Sequence, residues 1–237
     1  MAELLAAFSR SLRDLRRGEV LWHALWPPLV SLLLWALLGY AFWTDAQALL
    51  APLVPQLPWS GWEWVSRWAT VFLLLAALAA LIYLTAMTLV AVFALPLLIR
   101  LVALRDYPEL GRHGENAFMA SLGNTLAAGG IFLLGALLSL PLLLIPGMLL
   151  VLPLFWGAWL NQRTFRFDAL ADHATPAELR RIVGDNRRSF WLAGLVTAGA
   201  GYLPLFNLLA PAFAALVFVH LGLASLRRLR QDQGIEL

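Results

Sequence analysis

Four stretches of the chain contain no Asp, Glu, Lys or Arg: residues 20–44, 68–99, 116–162 and 189–226, of 25, 32, 47 and 38 residues. A helix rises roughly 1.5 Å per residue, so about 20 apolar residues cross a hydrocarbon core of about 30 Å. Every stretch clears that length. Each is rich in Leu, Ala, Val and Phe and lacks the apolar–polar alternation of barrel strands. The pattern predicts an all-α, multi-pass membrane protein. The first stretch is also too long for the apolar part of a signal peptide, which predicts an uncleaved anchor.

The last two stretches are interrupted, at Ile145-Pro146-Gly147 and at Leu203-Pro204-Leu205-Phe206-Asn207. Proline removes a backbone donor and clashes with the preceding turn, so each interruption predicts a bend between two helical arms. The arms 147–162 and 189–203 reach only about 22–24 Å, whereas 118–145 and 205–226 are longer. The expected layout is two long transmembrane helices (20–44 and 68–99) followed by two helical hairpins (116–162 and 189–226), half-penetrating or fully crossing. The polar segment 163–188 separates the hairpins. Residues 3–17 place Leu4, Leu5, Phe8, Leu12 and Leu15 on one face, which predicts an N-terminal amphipathic helix within 1–19 lying on the inner leaflet. Thr175-Pro176-Ala177-Glu178 combines an N-cap, a first-turn proline and a capping-box acid, predicting a short helix to about Asp185. No linker-rich segment divides the chain, so 1–237 reads as a single membrane domain.

Charge sets the orientation. Segments 1–19, 100–115, 163–188 and 227–237 hold 16 of the 17 Arg, and the opposite loop, 45–67, holds Arg67 alone. The positive-inside rule then puts both termini in the cytoplasm. Trp43, Trp59, Trp62, Trp64 and Trp68 lie at the outer loop, and Trp22, Trp26, Trp156, Trp159 and Trp191 near the inner ends, as in an interfacial belt.

Composition narrows the chemistry. The chain is 61% hydrophobic and 13% charged, with a mean hydropathy of +0.77, far from an ordinary soluble enzyme. It contains no Lys, which excludes Walker-type phosphate loops and Schiff-base or kinase-type lysines. It contains no Cys, which excludes disulfides, thiolate nucleophiles and zinc–thiolate sites. Asp168, Asp172 and His173 lie close in sequence, but their spacing reads as a solvated loop rather than a metal site. His220 reads as a hydrogen-bonded structural histidine, with a proton relay as the alternative. Helices starting at Gly147 and Leu205 would turn positive dipole ends and free N–H groups into the membrane, as at anion sites in transporters. The bland alternative is a turn with satisfied caps, Asn207 capping its own helix.

Ile145-Pro146-Gly147, Trp159-Leu160-Asn161-Gln162-Arg163, Phe165-Arg166-Phe167-Asp168 and the segment from Leu203 to Pro211 resemble the CysZ/etoposide-induced protein 2.4 family. So do Pro27-Pro28-Leu29-Val30 and Ala94-Leu95-Pro96-Leu97, which fall where the family has prolines in its two long helices. The resemblance implies a bacterial inner-membrane protein with two long helices and two pairs of partly penetrating ones. It also implies oligomers and a link to sulfate uptake. The family's basic pair before the first long helix's proline, implicated in sulfate binding, corresponds here to Leu21 and Trp22, and the nearest basic pair is Arg16–Arg17.

The reading that follows is a non-enzymatic permease or channel for a small inorganic anion, sulfate foremost, in a lipid bilayer and as a homo-oligomer. It needs no cofactor, metal or nucleic acid. The alternative is a non-transporting scaffold or quality-control protein of the same family. The expected anion-binding or pathway residues are Arg16, Arg17, Gly147, Asn161, Arg163 and Asn207.

Overall fold

The computed structural model describes residues 2–55, 59, 61–114, 117–203 and 206–234. Among these, all regular structure is helical. Ten α-helices follow in order: α1 (Ala2–Leu15), α2 (Gly18–Ala41), α3 (Trp43–Leu50), α4 (Trp62–Leu89), α5 (Leu95–Asp106), α6 (Ala117–Leu138), α7 (Met148–Ala171), α8 (Pro176–Asp185), α9 (Arg187–Ala200) and α10 (Ala210–Gln233). Four of them carry spans long and apolar enough to cross a membrane: Gly18–Ala41, Trp62–Ala86, Phe118–Leu138 and Ala210–Gln233. The described chain forms two compact units, Leu25–Phe93 and the remainder.

In the unit Leu25–Phe93, α2 and α4 pair antiparallel. Ser31 Oγ donates to the carbonyl of Ile82 (2.7 Å), Trp35 Nε1 to Thr85 Oγ1 (2.9 Å), and Trp26 packs on Phe93 (6.4 Å between rings). The predicted outer loop holds a short helix of its own, α3. Trp62 Nε1 closes that loop onto the carbonyl of Pro55 at 2.7 Å. A π-turn, Val90–Ala94, links α4 to α5. Pro96 explains it, because a proline there cannot donate to the carbonyl one turn back and the ladder must widen. The helical run therefore extends to Asp106, past the predicted end at 99.

In the other unit α10 is the core. Leu216, Val217, Phe218, Leu221, Leu223 and Leu226 are fully buried. Phe218 lies between Phe165 of α7 (6.0 Å) and Phe190 of α9 (6.1 Å), both stacked on it. α10 covers most of the membrane arm expected over 205–226 and is long and apolar enough to cross a membrane, and protein covers most of its surface. α1 packs on it through Leu4, Ala7, Ser11, Asp14 and Leu15, with Phe8 against Phe213 (6.1 Å). Leu5 and Leu12 stay exposed. The apolar face assigned to one lipid surface is thus divided between protein and outside.

α6 and α7 are also antiparallel: Ser121 meets Asp168, Asn124 meets Arg163, and Phe132 meets Trp156. Trp156 fills the notch at Gly135 and donates to Ser139 Oγ (3.1 Å), so it wedges this pair. The first bend opens earlier than predicted. Pro141 ends α6, and a 3-10 turn, Leu140–Leu144, precedes Pro146-Gly147. Gly147 has φ 87°, a left-handed conformation that glycine adopts without strain. α7 then runs unbroken past Arg163 to Ala171, longer than the predicted arm. The second bend is a 3-10 turn, Phe206–Leu208, and α10 starts at Ala210. Pro204 and Leu205, where a helix start was expected, lie outside the described residues. α8 forms with its capping box: Thr175 Oγ1 accepts from Glu178 N (3.3 Å) and Glu178 Oε2 from Thr175 N (2.7 Å).

Candidate anion site

Arg10, Arg13, Asp14 and Arg17 recur at helical spacing, so α1 and its end present them on one face. That face, with Asp106 and Arg227, lines a cleft of about 320 Å³. Its carboxylates are committed. Arg105 Nη2 lies 2.7 Å from Asp14 Oδ1, and its Nε 2.7 Å from Asp106 Oδ1. Buried His220 places Nε2 2.9 Å from Asp14 Oδ2. The Arg105 hydrogen bond holds the Asp106 carboxyl below its usual range, against the opposing effect of burial. Tyr107 completes the wall: its hydroxyl lies 3.3 Å from Arg10 Nη1 and 3.3 Å from His220 Nδ1, and Arg227 lies over its ring at 4.7 Å. Burial pushes the Tyr107 phenol up, so it stays a neutral donor. Arg227 also pairs with Glu109.

The cleft carries four guanidiniums against two carboxylates. Arg17 shares Asp14 at 3.3 Å, and Arg13 has no acid within ion-pair distance among the described residues. Guanidinium groups match planar and tetrahedral oxyanions with paired N–H donors, and being weakly hydrated they give up water readily. The arrangement is chemically suited to a small anion. Asp14, Asp106 and His220 also place one ligand atom each within 4.8 Å of one another, the geometry of a cation site. With Arg105 already bridging both carboxylates, the group acts as an ion-pair network instead.

The expected residues divide among three places. Arg17 lines the cleft, and Arg16 lies beside it in the exposed turn after α1. Asn161 and Arg163 lie on α7. Asn161 Nδ2 donates to Thr197 Oγ1 of α9 (3.3 Å), and Arg163 sits over Trp159 at 5.6 Å. Gly147 and Asn207 occupy the two bends, both exposed. Around Gly147 the amides of Met148, Leu150 and Val151 donate to carbonyls of Ile145 and Gly147. The N-cap of α10 is Leu209, so Asn207 does not cap it. Asp168 turns to Ser121 of α6 and is not part of a solvated loop. The sequence reading missed Arg10, Arg13, Asp106, Tyr107 and Arg227. The repeat of charge at positions 10, 13, 14 and 17 was the available signal for two of them.

Comparison with known proteins gives one family. The profile described as sulfate transporter CysZ/etoposide-induced protein 2.4 matches residues 7–211. No curated protein and no solved structure matches the chain. With that match over most of its length and four helices able to span a bilayer, the chain is a membrane protein that belongs to the CysZ/etoposide-induced protein 2.4 family.

Proposed function

We propose that the protein is a permease or channel for a small inorganic anion, sulfate foremost. It would sit in the bacterial inner membrane with both termini in the cytoplasm. The observation that carries this reading is the arginine cleft of Arg10, Arg13, Arg17 and Arg227, whose two carboxylates are already held by Arg105 and His220. The family match supports transport. The arginines gather at one end of the unit built on α10, and the bends at Gly147 and Asn207 lie at the other. This polarity suits two hairpins that leave and re-enter the cytoplasmic face. Apolar side chains fill the core of that unit, so an anion would pass along its outer surfaces, enclosed by further copies in a homo-oligomer.

Purified protein in vesicles tests this. Radiolabelled sulfate should enter protein-containing vesicles faster than empty ones, and the double variant Arg13→Gln/Arg17→Gln should lower the rate at least about tenfold, the effect of losing charge-assisted hydrogen bonds. Uptake equal to empty vesicles would overturn the reading.

A further inference from the structure

Helices α7 and α9 pack antiparallel and very closely. Gly194 of α9 abuts the carbonyl of Ala158, and Gly157 of α7 abuts Ala198. Asn161 bonds Thr197, and Leu154 lies beside Gly199. Each step down one helix is a step up the other. Continuing that register beyond Gly194 sets Arg187, the first residue of α9, beside Arg166, with Arg163 one turn away on α7.

The register therefore brings three arginines to one level of the α7–α9 pair, where the long apolar stretch 116–162 ends. None has a carboxylate within ion-pair distance among the described residues. Arg166 Nη1 donates to neutral Gln162 Oε1 at 2.5 Å. Arg163 rests on the Trp159 ring, and its buried Nε has no hydrogen-bond partner. The nearest acid along the chain, Asp168, points to α6 and bonds Ser121. Arg187 also stands at the positive end of the α9 dipole, the end where a cation is disfavoured. The strain shows in Arg166, whose guanidinium is lowered to about 10 by burial and then by Arg163 and Arg187. Cations brought together without a counter-charge, around an unused buried donor, describe a site built for an anion.

We propose that Arg163, Arg166 and Arg187 hold one tetrahedral oxyanion at the α7–α9 junction, separate from the cleft on α1. Sulfate, phosphate and the phosphate of an anionic lipid head group share this chemistry. The position, where helices leave an apolar stretch, is open to both a free ion and a lipid. The inference does not depend on the transport reading.

The test uses the full chain in mild detergent, with two probes and five variants. Sodium sulfate, compared with chloride at equal ionic strength, is read as a rise in melting temperature. Phosphatidylglycerol is read as copies retained in native mass spectrometry. The wild type should respond to at least one probe. Arg166→Gln and Arg187→Gln should each weaken that response at least about tenfold, while Arg166→Lys should keep part of it. Arg180→Gln, which alters an exposed arginine on α8, should leave it unchanged. A sulfate response identifies a free-ion site, and lipid retention identifies a head-group site. Exposed Arg187 keeps the test readable should the Arg166 variants fail to fold. Two results overturn the proposal: equal responses in wild type and Arg187→Gln, or loss on Arg13→Gln with retention in Arg187→Gln.

Discussion

Asp168 shows how one side chain reports its surroundings. Burial, only partly offset by the Ser121 hydroxyl, raises its carboxyl to about 6. Between its ordinary value of 3.8 and about 6, the folded state holds a proton that the unfolded state has lost. Stability therefore falls as pH rises through that window, by about 3 kcal/mol at roughly 1.4 kcal/mol per unit, and stays lower above it. Asp168→Asn keeps an acceptor for Ser121 and removes the charge. Its melting temperature should match wild type near pH 4 and exceed it at pH 8; a lower value at both would contradict the assignment. At this scale the sequence was partly legible. Arg163 and Asn161 stood out because they close an apolar stretch. The Asp14–His220 contact did not, since its partners lie at opposite ends of the chain and neither sits in a local pattern that names the other.

Among elements, the α7–α9 seam depends on small residues. A Cβ on Gly194 would overlap the Ala158 carbonyl oxygen and crowd Gln162 Cβ, and backbone cannot step aside as a flexible side chain can. Where helices associate with little hydrophobic drive, close approach through small residues supplies the contact. Gly194→Ala should therefore lower stability by about 1–3 kcal/mol. Gly123→Ala on α6, which meets open space, should be neutral or slightly stabilising. Comparing the two melting temperatures checks the claim. Helix existence was readable from the charge-free stretches, and the start of α8 from its capping box. Helix ends were less so. The first bend was placed at Pro146-Gly147 alone although Pro141 already ends α6, and α7 ran on because Thr164, Arg166 and Asp168 are polar without being helix breakers.

Across the molecule, one buried arginine ties four segments together. Arg230 of α10 places Nε 2.8 Å from Glu178 Oε1, and its Nη2 donates to the carbonyl of His173 (2.8 Å) and lies 2.9 Å from His113 Nδ1. Burial pushes the Glu178 carboxyl up, but bonds from Arg230 and Thr175 outweigh it and hold it low. Backbone bonds from His113 and Gly114 to His173 and Asp172 reinforce the same junction. Arg230→Gln should cost about 3–5 kcal/mol, as for breaking a buried pair, and free the segment around Arg112. Trypsin should then cut after Arg112 many times faster than in wild type; an unchanged rate would show that the loop is held by other means. Hydropathy could not reveal this enclosure, because an apolar helix reads alike whether lipid or protein surrounds it.

The burial of α10 also fixes an order of events. A ribosome makes α1 well before α10, yet Asp14 and Ser11 of α1 face α10, and Asp14 meets His220 at a separation of 206 positions. Arg17 and Arg105 can pair with Asp14 as soon as they are made, but the buried face of α1 must wait for α10. The emergence of α10, and not the entry of any earlier helix, is the moment at which this fold can close.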